Sequence, residues 1–131
     1  MGAREIPIAQ WPEFLDQFSR EHRAWLATVD RVPAGEPAHT DVVERPLASV
    51  TPLIAGKRIE RIDIRFQEDS PARRQIQIQA PTSVRVDETA EGTVRGLEII
   101  DKHGDSTRIR FRAAPLPEML DGIAPGEQPF S

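Results

Sequence analysis

The sequence predicts an α+β domain: a mostly antiparallel, strongly curved sheet or small β-barrel of about six or seven strands, covered by an N-terminal amphipathic helix. Three observations predict it. Apolar residues recur at helical spacing in only one long stretch, near the front. Behind it the period drops to two, in short segments separated by turn residues. Strands and helices nowhere alternate, so the connections are those of hairpins rather than of parallel crossovers. A one-faced sheet of that length is expected to curl, leaving edges and a mouth.

The helix comes first in the argument. Trp11, Phe14, Leu15, Phe18 and His22 make one apolar stripe, and Glu13, Asp16, Gln17, Arg20 and Glu21 face away from it. Pro12 fits a first helical turn, where its missing N–H is not needed. Acidic residues come early and His22 and Arg23 late, the order that the helix dipole favours. The chain has two Trp, five Phe and no Tyr. A helix carrying Trp11, Phe14 and Phe18 must therefore lie on an apolar surface that the remainder supplies. Ala24 to Val29 is short, apolar and partly β-branched, a strand that Asp30-Arg31 ends. Ahead of the helix, Met1 to Gln10 is extended, with Ile6 and Ile8 able to add a strand to a sheet edge.

Arg31 to Pro37 is a loop. Thr40 to Ile54 reads as strand interrupted by Pro46 and Pro52, hence an edge strand or two short pieces. Such an edge would let the chain be a homodimer as well as a monomer. Gly56-Lys57 makes a turn. In Ile59 to Phe66, Ile62, Ile64 and Phe66 face one way and Arg61, Asp63 and Arg65 the other. Glu68 to Ala72 breaks the pattern. Arg74 to Ala80 sets Ile76 and Ile78 against Gln75, Gln77 and Gln79, a polar solvent face. Pro81-Thr82 bends the chain, and Val84 and Val86 continue it. Thr93 to Asp101 places Leu97 and Ile99 together with Ile100 opposite. His103-Gly104 is the sharpest hairpin signal. Ser106 to Arg112 puts Ile109 and Phe111 inside and Arg108, Arg110 and Arg112 outside. Leu116 to Gly122 reads as one or two helical turns. We expect residues 1–123 to form a single domain and 124–131 a flexible tail.

Composition narrows the function classes. The chain is 38% hydrophobic and 29% charged over 131 residues, so a core of Ile, Val and Leu is affordable but apolar surface is scarce. Cysteine is absent, which excludes a disulfide scaffold, a thiolate metal site and a cysteine nucleophile. The net charge of -4 argues against bulk attraction to nucleic acid or anionic membrane, though not against a local basic face. No signal-peptide run opens the chain, and Ile6 stands where a myristoylation signal wants Ser or Thr. We expect a soluble, cytoplasmic protein with no membrane segment.

Glu5-Ile6-Pro7, Gln10 to Leu15, Arg110-Phe111-Arg112 and Leu116 to Met119 together resemble the signature of a family of small uncharacterised bacterial proteins, a domain of unknown function. The resemblance spans nearly the whole chain. It implies a bacterial, actinobacterial-type source and carries no activity, cofactor or site residue.

No nucleotide-binding, nucleophile-elbow or HExxH motif occurs, and no cofactor or metal is expected. His22, His39 and His103 lie in three separate regions. His22 reads either as a general base at the sheet's mouth or as a residue of the helix end, and the second fits helix C-termini generally. Asp101-Lys102-His103 reads as a soluble hairpin tip. One pattern stands out: Arg61, Arg65, Arg85, Arg108, Arg110 and Arg112 all take outward strand positions. If the last strand neighbours the Ile59–Phe66 strand, they form a ridge able to hold phosphates or an acidic protein surface. The competing reading is a solvated face whose arginines pair across strands with Glu60, Asp63, Asp87 and Glu98. These features point to a non-enzymatic small binding or protein-interaction domain, acting on another protein or a small ligand. The alternative is a nucleic-acid-associated module using the arginine face. A carboxylate-only enzyme would need two acidic side chains converging in a pocket.

Overall fold

The helical stripe forms α1, Trp11–Glu21, and buries Trp11, Leu15 and Phe18, with Phe14 half-buried beside them. Each such side chain contributes roughly 1.5–3 kcal/mol on leaving water. The computed structural model describes residues 2–67 and 75–112. Its strands are β1 (Gly2–Glu5), β2 (Leu26–Val32), β3 (His39–Ala55), β4 (Arg58–Phe66), β5 (Gln75–Gln79), β6 (Pro81–Glu88), β7 (Val94–Asp101) and β8 (Ser106–Phe111). They run antiparallel in the order β1-β6-β7-β8-β2-β3-β4-β5.

The expected mostly antiparallel sheet is present, with eight strands among the described residues rather than six or seven. The barrel is not. β1 and β5 end the order, and no ladder joins them. What curls the sheet is β3. Its residues 39–46 pair with β2 and its residues 47–55 with β4, so one strand serves two layers. The larger layer is β1-β6-β7-β8-β2-β3 and the smaller β3-β4-β5. Their inner faces share one core, in which Val29, Val84, Val86, Leu97, Ile99 and Ile109 meet Val50, Ile62, Ile64, Ile76 and Ile78. On the other side β5 runs straight into β6 through Ala80, a left-handed residue (φ 49°) that turns the chain from one layer to the other.

Of the two readings for the proline-bearing segment, the edge strand holds: β3 is unbroken, and in each layer it pairs on one side only. Pro46 stands at the change of layer, just after the left-handed Glu44 (φ 45°). Pro52 stands on the side of the strand that β4 does not occupy. Two residues earlier on that side, Ser19 of α1 takes the place of a neighbouring strand. Its Oγ accepts the Val50 N–H at 2.8 Å and donates its single proton to the Leu15 carbonyl (2.8 Å) or the Val50 carbonyl (3.0 Å). Alternate residues send their backbone groups to the same edge, so Pro52 lacks its N–H where no ladder needs one.

Three further expectations shift. The first strand is built from Gly2–Glu5 rather than from Ile6 and Ile8; Ile6 is buried after it, and Ile8 lies 60% exposed in a 3₁₀ turn. β2 runs past Asp30 to Val32, because Arg110 and Thr40 satisfy the Asp30 carboxylate on the outer face. The Glu68–Ala72 break, the Leu116–Gly122 turns and the tail from 124 lie outside the described residues. Among the described residues, no helix is long and apolar enough to cross a membrane.

Candidate interaction site

The six arginines singled out above do not form one ridge. β8 lies between β7 and β2, whereas β4 lies between β3 and β5, so Arg61 and Arg65 belong to the smaller layer and the other four to the larger. Arg61 and Arg65 flank Asp63, whose buried carboxylate is 2.8 Å from Arg61 and 3.7 Å from Arg65. On the larger layer, strand register brings Glu5, Arg85, Glu98, Arg108 and Asp30 side by side across five strands. Charge alternates at every step. Arg85 meets Glu5 at 3.7 Å, Arg108 meets Glu98 at 3.3 Å, Arg110 grips Asp30 at 2.6 and 3.3 Å, and Arg112 reaches Glu44 at 3.6 Å. Cross-strand pairing thus describes the larger layer, but not with all the acids expected: Glu98 meets Arg108, Asp87 meets Arg95 rather than one of the six, Asp63 pairs within its own strand, and Glu60 meets no arginine among the described residues. A face in which each arginine meets a carboxylate carries little surplus charge.

The strongest of these pairs shifts its members' protonation. The Arg110 guanidinium, with help from the Thr40 hydroxyl, holds the Asp30 carboxyl below its ordinary value, and Asp30 in turn raises Arg110. Folding depresses this carboxyl's pKa, so its stabilising contribution is complete above the ordinary aspartate value of about 3.9 and is lost as pH falls through the lower folded value. Urea unfolding between about pH 6 and about pH 3 is expected to show falling stability, with a shallower fall in Asp30→Asn. An equal slope in both proteins would remove Asp30 from the account.

His22 does not stand at an open mouth. It caps α1 with its ring 4% exposed, stacked on Phe111 (4.8 Å, 9° between planes) and close to Phe18 and Trp25. Its Nδ1 lies 2.8 Å from the Phe18 carbonyl, which can only accept, so Nδ1 carries the proton. His39 is exposed and reaches Asp41 at 3.3 Å.

The unmatched positive charge lies elsewhere. Among the described residues, the lysine and arginine side chains that meet no carboxylate are Arg23, Lys57, Arg58 and Lys102; Arg45 has an interaction of its own. Lys57 and Lys102 are also the only lysines in the chain. Three tight turns bring Lys57, Arg58 and Lys102 to one end of the fold. Gly56 (φ 63°) and Lys57 join the paired residues Ala55 and Arg58, a two-residue hairpin connection. The Ala80 corner donates its N–H to the Glu60 carbonyl at 2.9 Å and accepts the Lys102 N–H at 3.0 Å, tying the starts of β4 and of the β7–β8 turn to itself. The Asp101 carboxylate then holds that turn by accepting the N–H groups of His103 (2.8 Å) and Asp105 (3.1 Å).

Between these turns lies a cleft of about 570 Å³ whose walls include Arg58, Glu60, Gln79, Lys102 and His103. Arg58 and Ile59 also border a second groove, of about 520 Å³, floored by Trp11, Pro12 and Pro81 and flanked by Ile8, Ile54 and Lys57. Ile8 is 60% and Ile54 52% exposed. The residues of this site passed as turn and hairpin-tip residues in the sequence. The available signal was that both lysines stand at turns, but their meeting depends on strand order. Comparison with protein families, with curated proteins and with solved structures finds no significant match to this chain.

Proposed function

We propose that the chain is a non-enzymatic interaction domain that binds an acidic segment of another protein at the cleft lined by Arg58 and Lys102, beside Lys57. One observation carries this reading. Elsewhere the arginines are largely matched to carboxylates, while Arg58 and Lys102 on the walls of this cleft and Lys57 on the adjoining groove form no ion pair among the described residues, with Glu60 the one carboxylate on the cleft wall. A carboxylate arriving here gains charge-assisted hydrogen bonds and breaks no existing pair. A carboxylate or phosphate approaching the arginine face must displace an acidic neighbour at each step, so that face no longer supports the nucleic-acid alternative. Exposed ion pairs are individually weak, and the cluster acts chiefly by steering an acidic partner and setting its orientation.

The test is fluorescence anisotropy with short labelled peptides, one rich in Asp and Glu and one with Asn and Gln in their place. The acidic peptide is expected to bind more tightly at low salt. The triple change Lys57→Glu, Arg58→Glu, Lys102→Glu is expected to weaken it at least about tenfold, while Arg108→Gln leaves it unchanged. All three lysine and arginine positions are exposed, so the variant keeps its core. Equal binding of both peptides, or indifference to the charge reversal, overturns the proposal.

A further inference from the structure

We infer that the acidic partner also carries an aliphatic anchor residue, which seats in the groove between Ile8 and Ile54 while its carboxylates meet Arg58 and Lys102. This rests on the acidic-partner reading above and adds what selects the partner. Large exposed aliphatic side chains are few among the described residues: Ile8, Val43, Leu53 and Ile54. Two of them, Ile8 and Ile54, line one groove, and Lys57 and Arg58 line it too. Apolar surface and unpaired cation are thus contiguous, joined through Arg58 and Ile59, which border both clefts.

The groove is built before anything enters it. Trp11 is 1% exposed, and its indole N–H donates to the Ile6 carbonyl at 2.8 Å, which fixes the floor. Pro12 and Pro81 have little freedom to lose. An anchor therefore gains burial without the cost of ordering the site. Because Arg58 and Ile59 serve both clefts, the anchor and the nearest carboxylate lie within about one to three residues of each other in an extended segment.

Two other occupants fit less well. A strand adding to the open side of β3 finds Ser19 on Val50 and no donor at Pro52. A second copy docking face to face about a two-fold axis brings Lys57 and Arg58 against their own counterparts, like charge on like. A separate acidic segment with a Leu or Ile meets neither obstacle.

Calorimetric titration of the full chain with two peptides tests the inference: an acidic peptide with one central Leu, and the same peptide with Ala there. The Leu peptide is expected to bind about tenfold more tightly. Ile54→Asn is expected to erase that preference and to leave the Ala peptide's affinity in place, and Ile8→Asn to do the same. In a Trp25→Phe background, Trp11 emission is expected to shift on adding the Leu peptide only. If both acidic peptides bind equally, the anchor is wrong and the acidic cleft stands. A Leu preference that survives both isoleucine changes places the anchor elsewhere and also overturns the inference. If neither peptide binds, the acidic reading itself falls.

Discussion

Trp11→Ala is expected to destabilise the fold by about 3–5 kcal/mol, a large share of the roughly 5–15 kcal/mol typical of a domain. Trp11 is the first residue of α1 and is 1% exposed. Its truncation leaves a cavity between the helix and the lead-in, and it orphans the Ile6 carbonyl that the indole N–H satisfied at 2.8 Å. Ile6 also donates its N–H to the Val84 carbonyl of β6 at 2.8 Å, so the indole links the helix to the far end of the larger layer. Trp11→Phe separates the two contributions: it keeps most of the ring and loses the hydrogen bond, for a smaller cost of about 1–3 kcal/mol. Chemical unfolding of both variants measures this. A cost for Trp11→Ala below about 1 kcal/mol would show that the helix start is not anchored as described.

Gly96→Ala is expected to cost about 3 kcal/mol or more. A Cβ at Gly96 would overlap the Ile109 carbonyl oxygen on β8. The obstacle is backbone, not the tip of a side chain, so relief requires β7 and β8 to separate where Gly96 pairs with Arg110. Those strands are the third and fourth of six in the larger layer, with neighbours on both sides. Gly35 offers a comparison: it has open space around it and a left-handed φ of 75°, so alanine there carries only the backbone cost of about 1–2 kcal/mol. Thermal unfolding should therefore separate the two substitutions clearly. If Gly96→Ala melts with or above Gly35→Ala, the close approach of β8 to Gly96 is not real.

Local pattern made much of the fold legible. The stripe from Trp11 to Phe18 and the alternation in β4, β5, β6 and β8 put the buried residues where expected, because burial on one face leaves a period in the sequence. The exposed Gln75, Gln77 and Gln79 and the turn before β8 follow the same logic. Pro46 and Pro52 mark β3 as an edge, which it is in each layer, but leave open whether the strand is cut, because proline reports a missing donor and does not tell whether a donor is needed there. Only the placement of Ser19 and the change of layer at Pro46 decide that. The lead-in adds its edge strand at Gly2–Glu5 rather than at Ile6 and Ile8, a placement not legible locally because Gly2–Glu5 has no apolar period; its strand conformation comes from pairing with β6 far along the chain. The arginine face was found as a pattern and misjudged as a ridge, since alternation shows which way a side chain points but not which strand lies beside it. The meeting of Lys57, Arg58 and Lys102 at one end of the fold is not legible for the same reason: its parts are ordinary turns until the Ala80 corner joins them.

The position of β2 has a consequence for how the chain acquires its structure. β2 sits between β3, its immediate successor, and β8, whose residues come about eighty positions later, as the Asp30–Arg110 contact shows. β1 likewise waits for β6, with Arg4 bound to Glu88. A chain emerging from the ribosome can form the local β3–β4 hairpin early. The larger layer must wait until nearly all the described residues are out, because its two earliest strands have late partners. Such distant pairing implies slow folding for the domain's length. Until β8 arrives, the inner face of β2, with Ala27 and Val29, lacks the strand that will lie beside it.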